Sequence, residues 1–226
     1  AAESVGYRSQ ELNVDAGNNT SFGDSTLYRV TGAGVGNTAV GYVAAEELTT
    51  GAYNVAVGAG ALKTAVTAAS NTAVGHSAMA FAGAAVTSNT AVGKEALYGV
   101  TGVDNTAIGS QALRSQLGAH YNTAIGVEAG FSITTGGGNT FIGQGAGAGA
   151  QLATAASSIA IGRLAITTKS YQCVIGHTDI TETLLRGIIC IGGNTSASPA
   201  VKASSTVLQA RLADDSGFAP LQEQLR

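Results

Sequence analysis

The chain has 226 residues, a net charge of −3, 32 glycines, 11% charged and 5% aromatic residues, and no tryptophan. An ordinary domain carries about 25% charged residues, so side chains this small do not build a usual compact core, while the positive mean hydropathy argues against disorder. No basic run steers the chain to nucleic acid, no long run of large apolar residues spans a membrane, and two cysteines make no disulfide framework.

The chain opens AAES, without Met and without a leader pattern, and reads as a processed or excised piece. From there one unit recurs. NTAVG stands at Asn37–Gly41, Asn71–Gly75 and Asn89–Gly93, and NTAIG at Asn105–Gly109 and Asn122–Gly126. The closing glycine falls at Gly6, Gly23, Gly41, Gly58, Gly75, Gly93, Gly109, Gly126, Gly143, Gly162, Gly176 and Gly192, with gaps of 14 to 19 residues. Twelve units therefore run over residues 1–193.

Each column has a physical reading. Val, Ile or Phe precedes every marker glycine, Ala usually stands two before it and Thr mostly three before it. This alternation predicts a short strand with Thr38 and Val40 on one face and Ala39 on the other. Asn stands four before the glycine in eight units, from Asn19 to Asn139. It suits a tight turn and can ladder with its copies at strand spacing. The glycine suits a positive φ or a close backbone approach. After it, Gly-x-x-Ala-[Leu/Met/Ile/Gly], as in Gly58–Leu62 and Gly93–Leu97, predicts a second strand, followed by an irregular outer loop that absorbs the length changes.

The expected fold is all-β: a parallel β-solenoid or β-roll of about 12 rungs of 16–18 residues. Eleven steps of roughly 4.8 Å make a rod about 50 Å long. So thin a roll does not hold both large columns inside. One column then faces a neighbouring chain, which predicts a homotrimer, intertwined or side by side. Cys173 and Cys190 fall on opposite strand faces of adjacent rungs and read as small apolar fillers. Residues 194–226 form a C-terminal extension, with a strand over 207–213, a turn at Asp214–Gly217 and a returning strand over 218–221.

Reactive chemistry is sparse. His76, His120 and His177 lie in different rungs without metal-ligand spacing. The Gly-rich stretch Gly143–Gly149 lacks the helix context and the Lys of a phosphate loop. Glu95 and Glu128 share a register two rungs apart, with Gln111 between them, and project from a convex turn instead of a cleft. No catalytic, cofactor-binding or metal residue is assigned, and no enzyme is expected. The candidate surface-binding residues are aromatic: Tyr42, Tyr53, Phe81, Tyr98, Tyr121, Phe131 and Tyr171, all outside the strand columns and suited to stacking on a ligand.

The NTAVG-x-x-AL units resemble repeat regions of bacteriophage tail fibres and spikes. They are also similar to the head β-roll of trimeric autotransporter adhesins, whose usual motif Ser158–Gly162 (SIAIG) matches closely. The units here are longer than the adhesin repeat and use Thr where that family prefers Val. The segment LQARLADDSGFAPLQ resembles sequences that precede a self-cleaving chaperone domain, which would have been removed. The resemblance implies a virion tail protein, extracellular and homotrimeric. Its partners would be other tail proteins and a host-surface polysaccharide or outer-membrane protein. The alternative is an adhesin head on a bacterial cell surface. A capsule or lipopolysaccharide depolymerase and an ice-binding protein are further alternatives. The last would use the Thr column, which reads as buried because it shares its face with the aliphatic column.

Overall fold

The structure, a computed structural model, describes residues 3–11, 17–149 and 153–177, with the backbone of 209–211 and 218–220. The chain divides into two units, Ala1–Thr183 and Leu184–Arg226. In the first, eleven three-residue strands form one parallel sheet in strict chain order: β1 (Glu3–Val5), β2 (Thr20–Phe22), β3 (Thr38–Val40), β4 (Val55–Val57), β5 (Thr72–Val74), β6 (Thr90–Val92), β7 (Thr106–Ile108), β8 (Thr123–Ile125), β9 (Thr140–Ile142), β10 (Ile159–Ile161) and β11 (Cys173–Ile175). Register is exact to the repeat, as in Thr72↔Thr90, Ala73↔Ala91 and Val74↔Val92. In the second unit, β12 (Gln209–Arg211) pairs antiparallel with β13 (Phe218–Pro220).

The first unit is a parallel β-solenoid of about nine turns, fewer than the twelve the glycine spacing predicts. The strands at the two ends of the sheet lack a fully described circuit, and the unit at Gly192 lies outside the described residues.

Among the described residues the expected second strand is absent. The Gly-x-x-Ala-Leu segments form overlapping turns, such as Ala61 N–H to the Gly58 carbonyl at 3.1 Å and Ala80 N–H to the Ser77 carbonyl at 3.3 Å. The third residue of each turn has a positive φ: Gly60 at 68° and Met79 at 52°. Even β-branched Val43 sits at 51°. The left-handed region costs an L-residue roughly 1–2 kcal/mol, and inter-rung bonding offsets it. Left- and right-handed residues alternate: the N–H groups of right-handed Ala78 and Ala80 close turns within the rung, while those of left-handed Ser77 and Met79 bond to the two neighbouring rungs. Ser77 N–H donates back to the Ala59 carbonyl at 2.9 Å and Met79 N–H forward to the Ala96 carbonyl at 3.0 Å. Alternation in the sequence predicted a strand because it encodes the same ladder, made here by turns.

The core is an alanine tube. The strand-centre residues Ala39, Ala56, Ala73, Ala91, Ala107 and Ala124 are fully buried against a second alanine column, Ala44 to Ala165, and against Leu62, Met79, Leu97 and Leu113. Asn19, Asn37, Asn54, Asn71, Asn89, Asn105, Asn122 and Asn139 are also buried and form the expected ladder. The Asn37 Oδ1 accepts from both Asn54 N–H at 2.9 Å and Asn54 Nδ2 at 3.0 Å, while Asn54 Nδ2 also donates to the Ala68 carbonyl at 2.7 Å. The amides need these bonds because each unmade one costs about 1–3 kcal/mol when buried. The marker glycine is required for both reasons expected of it. Gly41 has φ 125°, and a Cβ there would meet the Gly58 carbonyl carbon at 2.7 Å.

Candidate functional site

With the alanines inside, the Thr and Val/Ile columns face outward. The expectation that the Thr column is buried therefore fails for the single chain. Ile108 and Ile125 are each 39% exposed and Val55 is 37% exposed. Cys173 likewise is exposed, taking the Thr position of β11 instead of filling the core. The reason is volume: Leu62, Met79, Leu97 and Leu113 of the turn limb already fill the space facing the strand centres, so the sheet puts alanine inside and turns its larger columns outward.

The variable residues gather along the exterior of the turn limb, in columns set by the marker glycine. One residue past the glycine stand Tyr42, Ala59, His76 and Lys94 on successive rungs; five past it stand Tyr28, Glu46, Lys63, Ala80, Tyr98, Arg114 and Phe131. Neighbours in a column touch. Lys63 Nζ lies 3.7 Å from Glu46 Oε2, and the Arg114 guanidinium lies 5.0 Å from the Tyr98 ring centre. Arg114 Nε donates to Glu95 Oε2 at 2.8 Å and Gln111 Nε2 to the same oxygen at 3.0 Å. These two bonds, Arg114 first, hold the Glu95 carboxyl below the usual carboxylate range. Glu95 is thus bound to its own neighbours.

Of the seven aromatic candidates, the structure brings three together. Phe81 and Tyr98 pack with ring centres 4.9 Å apart and planes at 59°. Both line, with Tyr42, a surface notch of about 320 Å³. Tyr53, Tyr121 and Tyr171 stand at a different corner, before the Asn column, each exposed and with a φ near 60°. Phe131 is half-buried. Lys63, also lining the notch, escaped the sequence reading, as did Tyr28, whose ring lies under Arg8 at 4.8 Å; His76, a further lining residue, is weighed there only as a metal ligand. Sorting every exterior residue by its distance past the glycine would have found all three. Among the described residues no group of three His, Cys, Asp or Glu side chains could hold a metal ion, and no helix is long and apolar enough to cross a membrane.

Comparisons with family models, curated proteins and solved structures find no match. A second cavity, about 300 Å³ and lined by Leu164, Ile166 and Val174, lies at the β11 end of the described sheet.

Proposed function

We propose that the chain is a structural and receptor-binding segment of a bacteriophage tail fibre or spike. Three copies would pack through their outward sheet faces and attach to a host-surface polysaccharide or outer-membrane protein. One observation carries this reading. The outward face presents an unbroken apolar column, from Phe22 to Ile175, that a single chain leaves part-exposed. A contiguous apolar stripe of this kind marks an interaction surface, and a stiff rod with variable exterior columns suits reach and attachment. The adhesin head of a bacterial surface would use the same face; a depolymerase would add turnover of a capsule or lipopolysaccharide.

Light scattering tests the assembly. A species near three chain masses is expected, and a monodisperse 22.3 kDa species would remove the trimer. Ile125→Asp should leave a folded monomer, because the side chain points outward but a trimer would bury the unpaired charge. Saturable binding of labelled protein to a panel of bacterial strains tests attachment.

A second reading, ice binding, is favoured by the outward Thr column, Thr72 pairing with Thr90 and Thr106 with Thr123 along the sheet. It needs the face uncovered. A monomer with measurable thermal hysteresis would support it against the trimer.

A further inference from the structure

We infer that the notch on the turn limb between the rungs of β3 and β6 is a saccharide-binding site. This inference deepens the attachment reading and rests on it for its biological context, but its chemistry stands on the notch itself.

The notch comes from a local loss of side chains. The position one past the marker glycine carries a large residue on the flanking rungs, Tyr42 and His76, but Ala59 between them. The next position carries Val43 and Ser77 on those rungs, but Gly60 between them. The segment Gly58–Ala61 (GAGA) therefore makes a floor one rung wide. Two rungs place the backbones of the walls about 9–10 Å apart. Phe81 and Tyr98 close one end, and Lys63 stands five past the same glycine as the floor. The volume of about 320 Å³ falls at the small end of ligand sites, roughly 300–1,000 Å³.

The lining selects the ligand class. Tyr42 is 62% and Phe81 55% exposed, with ring surface to offer an apolar ligand face at little entropy cost. Around them stand the Lys63 ammonium, the His76 imidazole and the Ser77 hydroxyl, which together donate and accept. A pyranose has this split character, with a C–H face for the rings and hydroxyls at its edge. The floor of Ala59 and Gly60 lacks the apolar depth that a hydrophobic peptide anchor would fill. No other pair among the seven aromatic candidates is brought into contact in the described residues.

The test uses the full chain and a panel of methyl glycosides of glucose, galactose, N-acetylglucosamine, rhamnose and glucuronic acid, with their short oligomers. Saturation-transfer NMR should detect binding of at least one, and titration should give its affinity. Ala59→Tyr refills the notch with a residue the same position already carries at Tyr7 and Tyr42, so the fold should tolerate it. Gly60→Ser places a residue found there at Ser25 and Ser77. Each should weaken binding tenfold or more, as should Phe81→Ala; Ala59→Tyr should leave the melting temperature unchanged, while Gly60→Ser, which puts a side chain at a positive φ, should lower it by a few degrees. No transfer to any sugar, or an affinity unchanged in Ala59→Tyr and Gly60→Ser, overturns the site. Cell binding that survives Ala59→Tyr would overturn the notch and leave the attachment reading standing. Sugar binding without any cell binding would do the reverse.

Discussion

The rungs of β5 and β9 fill the same tube from opposite walls. At β5 the strand side is minimal, Ala73, and the turn side is large, with Leu62 and Met79 buried against it. At β9 the strand carries Phe141, and the equivalent turn positions on the two adjacent limbs are Gly130 and Gly147. A Cβ on Gly130 would lie 2.8 Å from Phe141 Cδ2, and one on Gly147 would collide with the opposite ring edge. Phe141 itself is fully buried. Between these two rungs the large side chain moves from one wall of the tube to the other. That follows from close packing, since interiors tolerate neither voids nor excess.

The largest expected effect comes from emptying the β9 rung. Phe141→Ala faces two glycines and cannot be refilled from the other wall, so it should cost about 3–5 kcal/mol in denaturant unfolding. Ala73→Phe overfills the β5 rung and should cost about 3 kcal/mol. Adding Leu62→Gly and Met79→Gly copies the β9 arrangement and should recover most of that loss. If the triple variant is no more stable than the single one, the two rungs are not equivalent and the volume account fails.

A smaller effect tests a third filling. Gln116 stands in an otherwise apolar buried column with Val30, Leu48, Val100 and Ile133. Its Nε2 donates to Asn105 Oδ1 and to the Ala119 carbonyl, both at 2.8 Å, but its Oε1 is buried without a partner. It also occupies the ladder: Asn122 Nδ2 donates to the Gly136 carbonyl, while the backbone N–H of Asn122 takes Asn105 Oδ1. Gln116→Leu removes two good bonds and one unpaired oxygen together, and should change stability by less than about 1 kcal/mol. A large loss would show that the interior needs the polar insertion.

The smallest effect lies outside the tube. Glu95 has its folded carboxyl held low by Arg114 and Gln111, so its contribution is complete above the ordinary carboxylate value, about 4.3. It is lost as the pH falls through the lowered folded value. Melting temperatures of the wild type and Glu95→Gln should therefore differ slightly at pH 7 and converge as the pH falls below the carboxylate range. A gap that widens in acid would contradict the assignment.

Much of this was legible in the sequence because a solenoid is nearly one-dimensional. Gly41 and Asn54 predict their roles from spacing alone, since each meets its own copy one rung away. The turn limb was misread because Ser77 and Met79 alternate as strand residues do, and only backbone angles separate a strand from turns bonding in both directions. The aromatic candidates were found as a set, yet Tyr42, Phe81 and Tyr98 were separable from Tyr53 and Tyr171 only once their corners of the rung were known.

The sequence by itself determined the period, the parallel register, the asparagine ladder and the glycine corner, because these are contacts between like residues one repeat apart. Only the tertiary structure decided which strand face is the inside. A tube whose opposing walls lie one alanine and one leucine apart excludes the Thr and Val/Ile columns. That exclusion turns the larger apolar residues outward.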